Sequence, residues 1–232
     1  MEDARAALLE HVPAPLRQVI LGRVRTQRAP KGRTVVGLGS RSMEVFFIME
    51  GEAQALLYSA NGREVSIRNI GPGDLFGELS ALDDQPRSAS IVAATDMRLM
   101  VMSHTDFRAC IESSSHAALW LARRLGAEVR RLTERVFELS ALNVRARLHC
   151  ELLRMARTGV GHKLVVSPAP THAELANRIG THREAVTREM RALAGLNIIR
   201  NGRRSLEFLD LVGLERAVGV AIGEMGEVVA RA

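Results

Sequence analysis

The spacing of apolar positions changes twice along the chain. Between about residues 30 and 107 they form short runs cut by glycine and polar turns. Val45-Phe46-Phe47-Ile48-Met49 ends at Glu50-Gly51, and Ala53 to Tyr58 follows. Ser59-Ala60-Asn61-Gly62 then turns the chain, Asn-Gly favouring the positive φ of a tight hairpin. Glu64 to Ile70 runs back to Gly71-Pro72-Gly73-Asp74, and Ala89 to Ala94 and Arg98 to Met102 add two more runs. Many short strands with regular turns predict a sandwich or barrel. From about 116 to 156 the period becomes helical. Leu125, Val129, Leu132, Val136 and Leu139 are spaced four, three, four, three, which keeps one apolar seam facing a partner helix. A helix this long is not stable alone, so its seam is expected to be buried, most simply in a two-stranded coiled coil that makes a homodimer.

From about 167 onward the pattern is that of a small helical unit, entered through the stiff connector Ser167-Pro168-Ala169-Pro170. Thr171-His172-Ala173-Glu174 has capping-box spacing and starts a helix whose inner face is Leu175, Ala176 and Ile179. Gly180 sits where a sharp turn needs positive φ. Thr181-His182-Arg183-Glu184 reads as a second capping box, opening a helix with Val186, Met190 and Leu193 inward. At 100° per residue, Arg183, Thr187, Arg191, Glu184 and Arg188 fall within an outer arc of about 140°. Arginine can bond both edge acceptors of guanine, and glutamate can accept from cytosine N4, so Arg183, Glu184 and Arg188 form a base-reading set near the helix start. Ile198-Ile199, a tip at Arg200 to Arg204 and Ser205 to Leu209 follow as a hairpin, with Arg203 and Arg204 placed to rest on phosphates. Two capped helices, a polar outer face and a basic wing predict a winged helix-turn-helix that binds double-stranded DNA.

Composition narrows the picture. The 232 residues suffice for two modest domains, and an aromatic content of 3% leaves aliphatics to build the cores. The net charge of +6 is carried almost wholly by arginine, Lys31 and Lys163 being the only lysines. Taken alone, that charge fits a polyanionic partner or a genome's base composition equally well, so the placement of particular arginines has to decide. No long apolar run suggests a membrane span, and the Met1-Glu2-Asp3 start does not read as a secretion signal. Cys110 and Cys150, far apart in sequence, suggest neither a disulfide framework nor a metal cluster, and a reducing cytoplasm is the expected compartment.

One loop carries further chemistry. Phe76-Gly77-Glu78-Leu79-Ser80-Ala81-Leu82 leads through Asp83-Asp84-Gln85-Pro86 to Arg87-Ser88-Ala89. Gly77 allows backbone N–H groups to approach an anion, Glu78 suits a ribose hydroxyl, and Arg87 with Ser88 offers donors to a phosphate. By itself the stretch reads first as a turn with one arginine and only second as a phosphate site. Together with the second helix, however, it resembles the phosphate-binding cassette of cyclic-nucleotide-binding domains. Gly180 through His182-Arg183-Glu184-Ala185-Val186-Thr187-Arg188 resembles the recognition helix of the cyclic-AMP receptor protein. Order and spacing over roughly residues 10 to 212 are similar to the family of that receptor and the fumarate-nitrate reductase regulator (CRP/FNR).

The resemblance implies an α+β fold: a jelly-roll-like β-roll sensor (1–115), a long coiled-coil dimerisation helix (116–156) and a C-terminal winged helix-turn-helix (157–232). It implies a bacterial, allosteric transcription regulator with cyclic AMP, or cyclic GMP, as effector and RNA polymerase as a further partner. Glu78 would bind the ribose 2′-hydroxyl, and Arg87 and Ser88 the cyclic phosphate. Backbone groups of Gly77, Leu79, Ser80 and Ala89 would line the pocket. The family's base-contacting pair on the long helix falls on Leu132 and Thr133 when counted from Arg87 without a gap, or on Glu128 and Val129 in the register set by Arg123-Arg124-Leu125. The first keeps Phe107 and Arg147 aligned without insertions and is preferred. Arg183, Glu184 and Arg188 match the family's base readers, implying palindromic sites with TGTGA-like halves; Thr171, Thr181, His182, Thr187, Arg191, Arg203 and Arg204 would support DNA contact.

Other classes fit less well. Iron–sulfur sensing on this scaffold needs an N-terminal cysteine cluster, and no cysteine precedes Cys110. Residues 46 to 103 offer no histidine as a haem ligand, and the seven histidines show no metal spacing. Ser113-Ser114-Ser115-His116 is a polar helix cap without a triad partner, and Asp83-Asp84 reads as a solvated pair, so no enzyme is expected. A same-fold regulator with another effector or none, and a cyclic-nucleotide adaptor without DNA binding, are the remaining alternatives.

Overall fold

The computed structural model describes residues 17, 21–58, 64–157 and 164–219. The expected Asn61-Gly62 turn and most of the Ala217 to Ala232 tail lie outside them. The chain divides into two compact units, Met1–Val129 and Arg130–Ala232.

In the first unit, strands β1 (Arg25–Ala29), β2 (Thr34–Val36), β3 (Val45–Glu50), β4 (Ala53–Tyr58), β5 (Glu64–Ile70) and β6 (Leu75–Phe76) precede a short helix, α1 (Glu78–Asp83). Strands β7 (Ser90–Ala93) and β8 (Met97–Met102), helix α2 (His104–Glu112) and the long helix α3 (Ser115–Ala141) follow. The strands form two four-stranded antiparallel sheets, β1-β8-β3-β6 and β2-β7-β4-β5. The unbroken apolar run of β3 has a simple cause: both of its faces are covered. Phe46 and Ile48 join Phe76, Leu99, Ala53, Ala55 and Ile91 in the core of the roll. Val45, Phe47 and Met49 pack instead with Phe107, Cys110, Ala117 and Leu121 from the helices. Phe46 and Phe76 stack with centroids 4.8 Å apart. The roll begins earlier than the expected residue 30, because β1 is largely polar and exposed yet pairs along β8 from Arg25↔Val101 to Ala29↔Met97.

The helix expected over 116–156 is two helices. α3 ends at Ala141 and α4 (Val144–Arg157) starts afresh. Asn143 causes the break: its Oδ1 accepts from the Ala146 N–H at 2.9 Å, the bond of a helix N-cap. α4 therefore departs from the seam and enters the second unit's core. Ala146, Leu148, Leu152, Leu153 and Ala156 are buried with Leu175, Ile179, Val186, Met190 and Leu193, so a limit at 157 would cut through one core. Along the α3 seam, Leu125 packs on the first unit's core. Val129 and Val136 stand 62% and 63% exposed on the single chain, with Leu132 and Leu139 also exposed.

The second unit continues with β9 (Val165–Val166), α5 (His172–Ile179), α6 (Arg183–Gly195), β10 (Ile199–Asn201) and β11 (Leu206–Phe208), the sheet running β10-β11-β9. β9 gave no sequence signal, being two residues long; it pairs with Leu206 and Glu207 and widens the expected hairpin to three strands. A buried ion cluster ties the end of α3 to this unit. Glu138 accepts from Arg154 (2.5 and 3.1 Å) and Arg135 (2.8 Å), and Glu151 pairs with Arg154 (2.9 Å) and Arg178 (3.3 Å). Arg135 also donates to the Arg178 carbonyl at the end of α5. Burial by itself would push the Glu151 pKa up, but Arg154, Arg178 and Arg135 together bring it below the ordinary glutamate value.

Candidate anion pocket and nucleic-acid interface

β6 delivers the chain into Gly77, whose φ of 88° lies in the left-handed region. A Cβ there would stand 2.5 Å from Arg87 Nη1 and 2.6 Å from the Glu44 carbonyl oxygen. The missing side chain lets a guanidinium lie against the backbone. Arg87 is 3% exposed, donating from Nη1 to the Gly77 carbonyl (2.8 Å), from Nη2 to the Glu44 carbonyl (2.6 Å) and from Nε to Ser42 Oγ (3.1 Å). Its backbone N–H and carbonyl bond to Ser40 and Gly39, both at 2.9 Å, closing the 39–42 loop over it. Burial lowers the Arg87 pKa, opposed by Glu44 and Glu78; the group stays charged, because free arginine ionises so far above neutrality. A buried cation satisfied mainly by neutral acceptors is a ready partner for an anion, and its remaining N–H groups supply the donors.

Glu78 opens α1 beside it and is half-buried. Burial pushes its pKa up, against a hydrogen bond from its own backbone N–H and the charges of Arg124 and Arg68, while Glu128 adds to the rise. These neighbours are themselves connected. Arg68 pairs with Asp74 at 2.5 Å and Glu128 at 3.3 Å, and Arg124 with Asp74 at 2.8 Å. β5, the 71–74 turn and α3 are thereby knitted together next to the pocket. Arg108 of α2 secures the other end of α1, donating to the Ala81 carbonyl and pairing with Asp84 at 2.7 Å. Of the remaining cassette residues, Leu79 and Ser88 are exposed, Ala89 is half-buried and Ser80 is buried.

The helix residues brought to Glu78 are thus Arg124 and Glu128, and Glu128 belongs to the second of the two sequence registers. Leu132 and Thr133, the preferred pair, lie past Val129 in the other unit. Sequence reasoning missed Ser42, Glu44, Arg68 and Asp74, which sit on three separate segments. Only Arg68, a charge inside an otherwise suitable strand, was a signal.

In the second unit the capping box of α5 is complete: Thr171 Oγ1 accepts from the Glu174 N–H (3.2 Å), and Glu174 Oε2 from the Thr171 N–H (2.6 Å). Gly180 has φ 67°. The start of α6 lies one residue later than the expected second capping box. The Thr181 N–H bonds to the Ala176 carbonyl and so belongs to the preceding turn, leaving His182 as the N-cap of α6 without a side-chain cap bond. Val186, Met190 and Leu193 are buried, while Arg183, Glu184, Arg188 and Arg191 are exposed together with Arg203 and Arg204 of the wing. Thr187 differs from these. Its hydroxyl lies 2.8 Å from His172 Nδ1 and donates to the Arg183 carbonyl at 2.9 Å, so it faces the protein rather than a ligand.

The other chemical motifs are structural. Ser113 Oγ donates to the Cys110 carbonyl at the end of α2, and Asp84 caps α1. Cys110 and Cys150 are buried free thiols. Among the described residues no group of His, Cys, Asp or Glu could hold a metal ion, and no helix is long and apolar enough to cross a membrane.

Comparisons with known proteins agree with both halves. Residues 26–114 match the cyclic nucleotide-binding domain and residues 146–217 the Crp-like helix-turn-helix domain. The chain is 34% identical over 196 residues to the cyclic AMP receptor protein of Thermus thermophilus, covering 83% of this chain and 88% of the relative. It is 28% identical over 216 residues to the CRP-like cAMP-activated global transcriptional regulator of Mycobacterium tuberculosis, covering 92% and 96%. A solved CRP/FNR-family transcriptional regulator of T. thermophilus superposes with a TM-score of 0.69 at 25% identity, over 84% of this chain and 98% of that one.

Proposed function

Since the chain belongs to the CRP/FNR family of transcription regulators, and is a cyclic-nucleotide-binding, DNA-binding protein rather than an enzyme, we propose that it is a cytoplasmic homodimer switched by cyclic AMP. Its DNA sites would be palindromes with TGTGA-like halves, and RNA polymerase its downstream partner. The observation that carries the effector reading is Arg87: a buried guanidinium clamped by Gly77, Glu44 and Ser42, with Glu78 alongside. Arg87 and Ser88 hold the cyclic phosphate, backbone groups of Gly77, Leu79, Ser80 and Ala89 line it, and Glu78 accepts from the ribose 2′-hydroxyl. The base then meets the long helix, at Glu128 and Val129 or at Leu132 and Thr133.

Dimerisation is supported by the exposure of Val129, Leu132, Val136 and Leu139 along one stripe of α3, an apolar surface a second copy would bury. Arg183, Glu184 and Arg188 read bases, while Thr171, Thr181, His182, Arg191, Arg203 and Arg204 contact or flank the phosphates. Control is a population shift. Cyclic nucleotide favours the dimer geometry that sets the two recognition helices about 34 Å apart, as successive major grooves require, and it does so only by binding that geometry more tightly.

Calorimetric titration with cyclic AMP and with cyclic GMP tests this reading. Micromolar binding of cyclic AMP near one per protomer, abolished in Arg87→Ala, is the expected result. Preference for cyclic GMP would change the effector. No heat and no change in melting temperature with either would leave the DNA-binding assignment and remove cyclic-nucleotide control.

A further inference from the structure

Apolar packing fixes how deeply α6 sits in its unit but restrains its roll weakly, because Val186, Met190 and Leu193 present smooth surfaces without directional bonds. Roll decides which side chains point outward, and that is what a reading helix must hold constant. Two polar contacts grip α6 at its flanks. On one, Glu189 Oε1 accepts from Arg145 Nε at 2.9 Å and lies 2.8 Å from His149 Nε2, both of α4. On the other, Thr187 meets His172 at the start of α5. At 100° per residue these flanks are about 160° apart around the helix, with Glu184, Arg188 and Arg191 on one side of the pair and the apolar face, edged by Arg183 at the helix start, on the other.

His149 is 3% exposed. Burial lowers its pKa, with Arg145 adding and the Glu189 hydrogen bond and charge opposing, so the imidazole is neutral at neutral pH. A carboxylate only accepts, so Nε2 carries the proton and the contact is a directed N–H···O bond. Arg145 reaches the same oxygen from the solvent side, its side chain 61% exposed. A buried histidine aimed at the middle of a helix otherwise packed by hydrocarbon is not needed to fill space.

We propose that Glu189, held by His149 and Arg145, is a positioning residue that sets the roll of the recognition helix and thereby the selectivity of Arg183, Glu184 and Arg188. The proposal rests on α6 being the DNA-reading helix. The wild-type full chain would select its preferred duplex from a random pool, and affinity for that duplex and for a scrambled one would be read by fluorescence anisotropy. H149L and E189L keep bulk but remove the bond; each should lower the affinity ratio about tenfold while scrambled-DNA affinity stays within about twofold. H149Q, which retains an N–H donor, should restore the ratio. Wild-type ratios in H149L and E189L would overturn the proposal, as would an equal loss in H149Q and H149L, or a parallel fall on both duplexes. Should the leucine variants fail to fold, R145M and E189A decide it: a reduced ratio supports the clamp and an unchanged one removes it. R183A separates the two levels. An unchanged ratio there would remove α6 as the reader, whereas a loss in R183A with wild-type ratios in H149L and E189L would remove only the clamp.

Discussion

Gly77→Ala tests the cassette at its tightest point. Placing a side-chain residue at φ 88° costs about 1–2 kcal/mol from the clash of Cβ with the local backbone. The new methyl would also lie 2.5 Å from Arg87 Nη1 and 2.6 Å from the Glu44 carbonyl, where ordinary contact begins near 3.4 Å. Both neighbours must withdraw by close to 1 Å. The carbonyl cannot simply swing aside, since Glu44 adjoins β3, which is buried on both faces. Overpacking of this kind adds about 1–3 kcal/mol. The sensor unit should therefore melt lower by on the order of 10 °C, and Arg87, pushed from its acceptors, should lose cyclic-nucleotide affinity by at least about tenfold. Trp120, the chain's one tryptophan, packs against the sensor core, so its fluorescence follows this unit's unfolding; calorimetry follows the ligand. A melting temperature within about 2 °C of wild type together with unchanged affinity would refute the geometry on which the pocket is built.

Other substitutions give contrasting outcomes. Glu78 has a raised pKa in the folded unit because of burial, so its stability contribution is present below the ordinary glutamate value and is lost as pH rises through the folded one. E78Q should accordingly melt higher than wild type at pH 7 and equally near pH 4, while binding cyclic nucleotide more weakly; lower stability at pH 7 would contradict the sign. His149 has a lowered pKa, again from burial, so its contribution is present above the ordinary histidine value and is lost as pH falls through and below it. The second unit's melting temperature by circular dichroism should drop between about pH 7 and 5 and do so less in H149Q. For the seam, V129E with V136E should convert the proposed dimer to monomers in sedimentation at micromolar concentration; a persisting dimer would place the interface elsewhere.

Much of the fold was legible because it follows from periodicity. The run Val45 to Met49, the strands at 53–58, 64–70, 90–93 and 97–102, and both helices of the helix-turn-helix follow from alternation, helical spacing and turn residues. What escaped did so for physical reasons. β1 is polar because one face meets solvent, and β2, β6 and β9 are too short to show a period; sheet partners distant in sequence hold them in place. The break at Asn143 was hidden because an asparagine inside an apolar-periodic stretch reads as a surface position until its side chain is seen capping Ala146. The candidate pocket divides the same way. Gly77, Glu78 and Arg87 lie in one loop and were found together, whereas Ser42, Glu44, Arg68 and Asp74 come from other segments and meet only through the fold. At the start of α6 residue type suggested Thr181 as the cap, but His182 holds that position, and at Thr187 it suggested a DNA contact where the hydroxyl instead meets His172 and the Arg183 carbonyl.

The ion cluster at the end of α3 bears on how this sequence is free to drift. Glu138 and Glu151 are buried and each holds more than one arginine. Removing one partner of a buried pair costs about 3–5 kcal/mol, less at Arg154, which reaches solvent. A domain's whole margin is about 5–15 kcal/mol. Single changes here are therefore close to forbidden, while replacing the linked set together by apolar residues of similar volume is nearly neutral. Arg135, Glu138, Glu151, Arg154 and Arg178 should change in lineages as a linked set, constraining one another's history although they span more than forty positions of sequence.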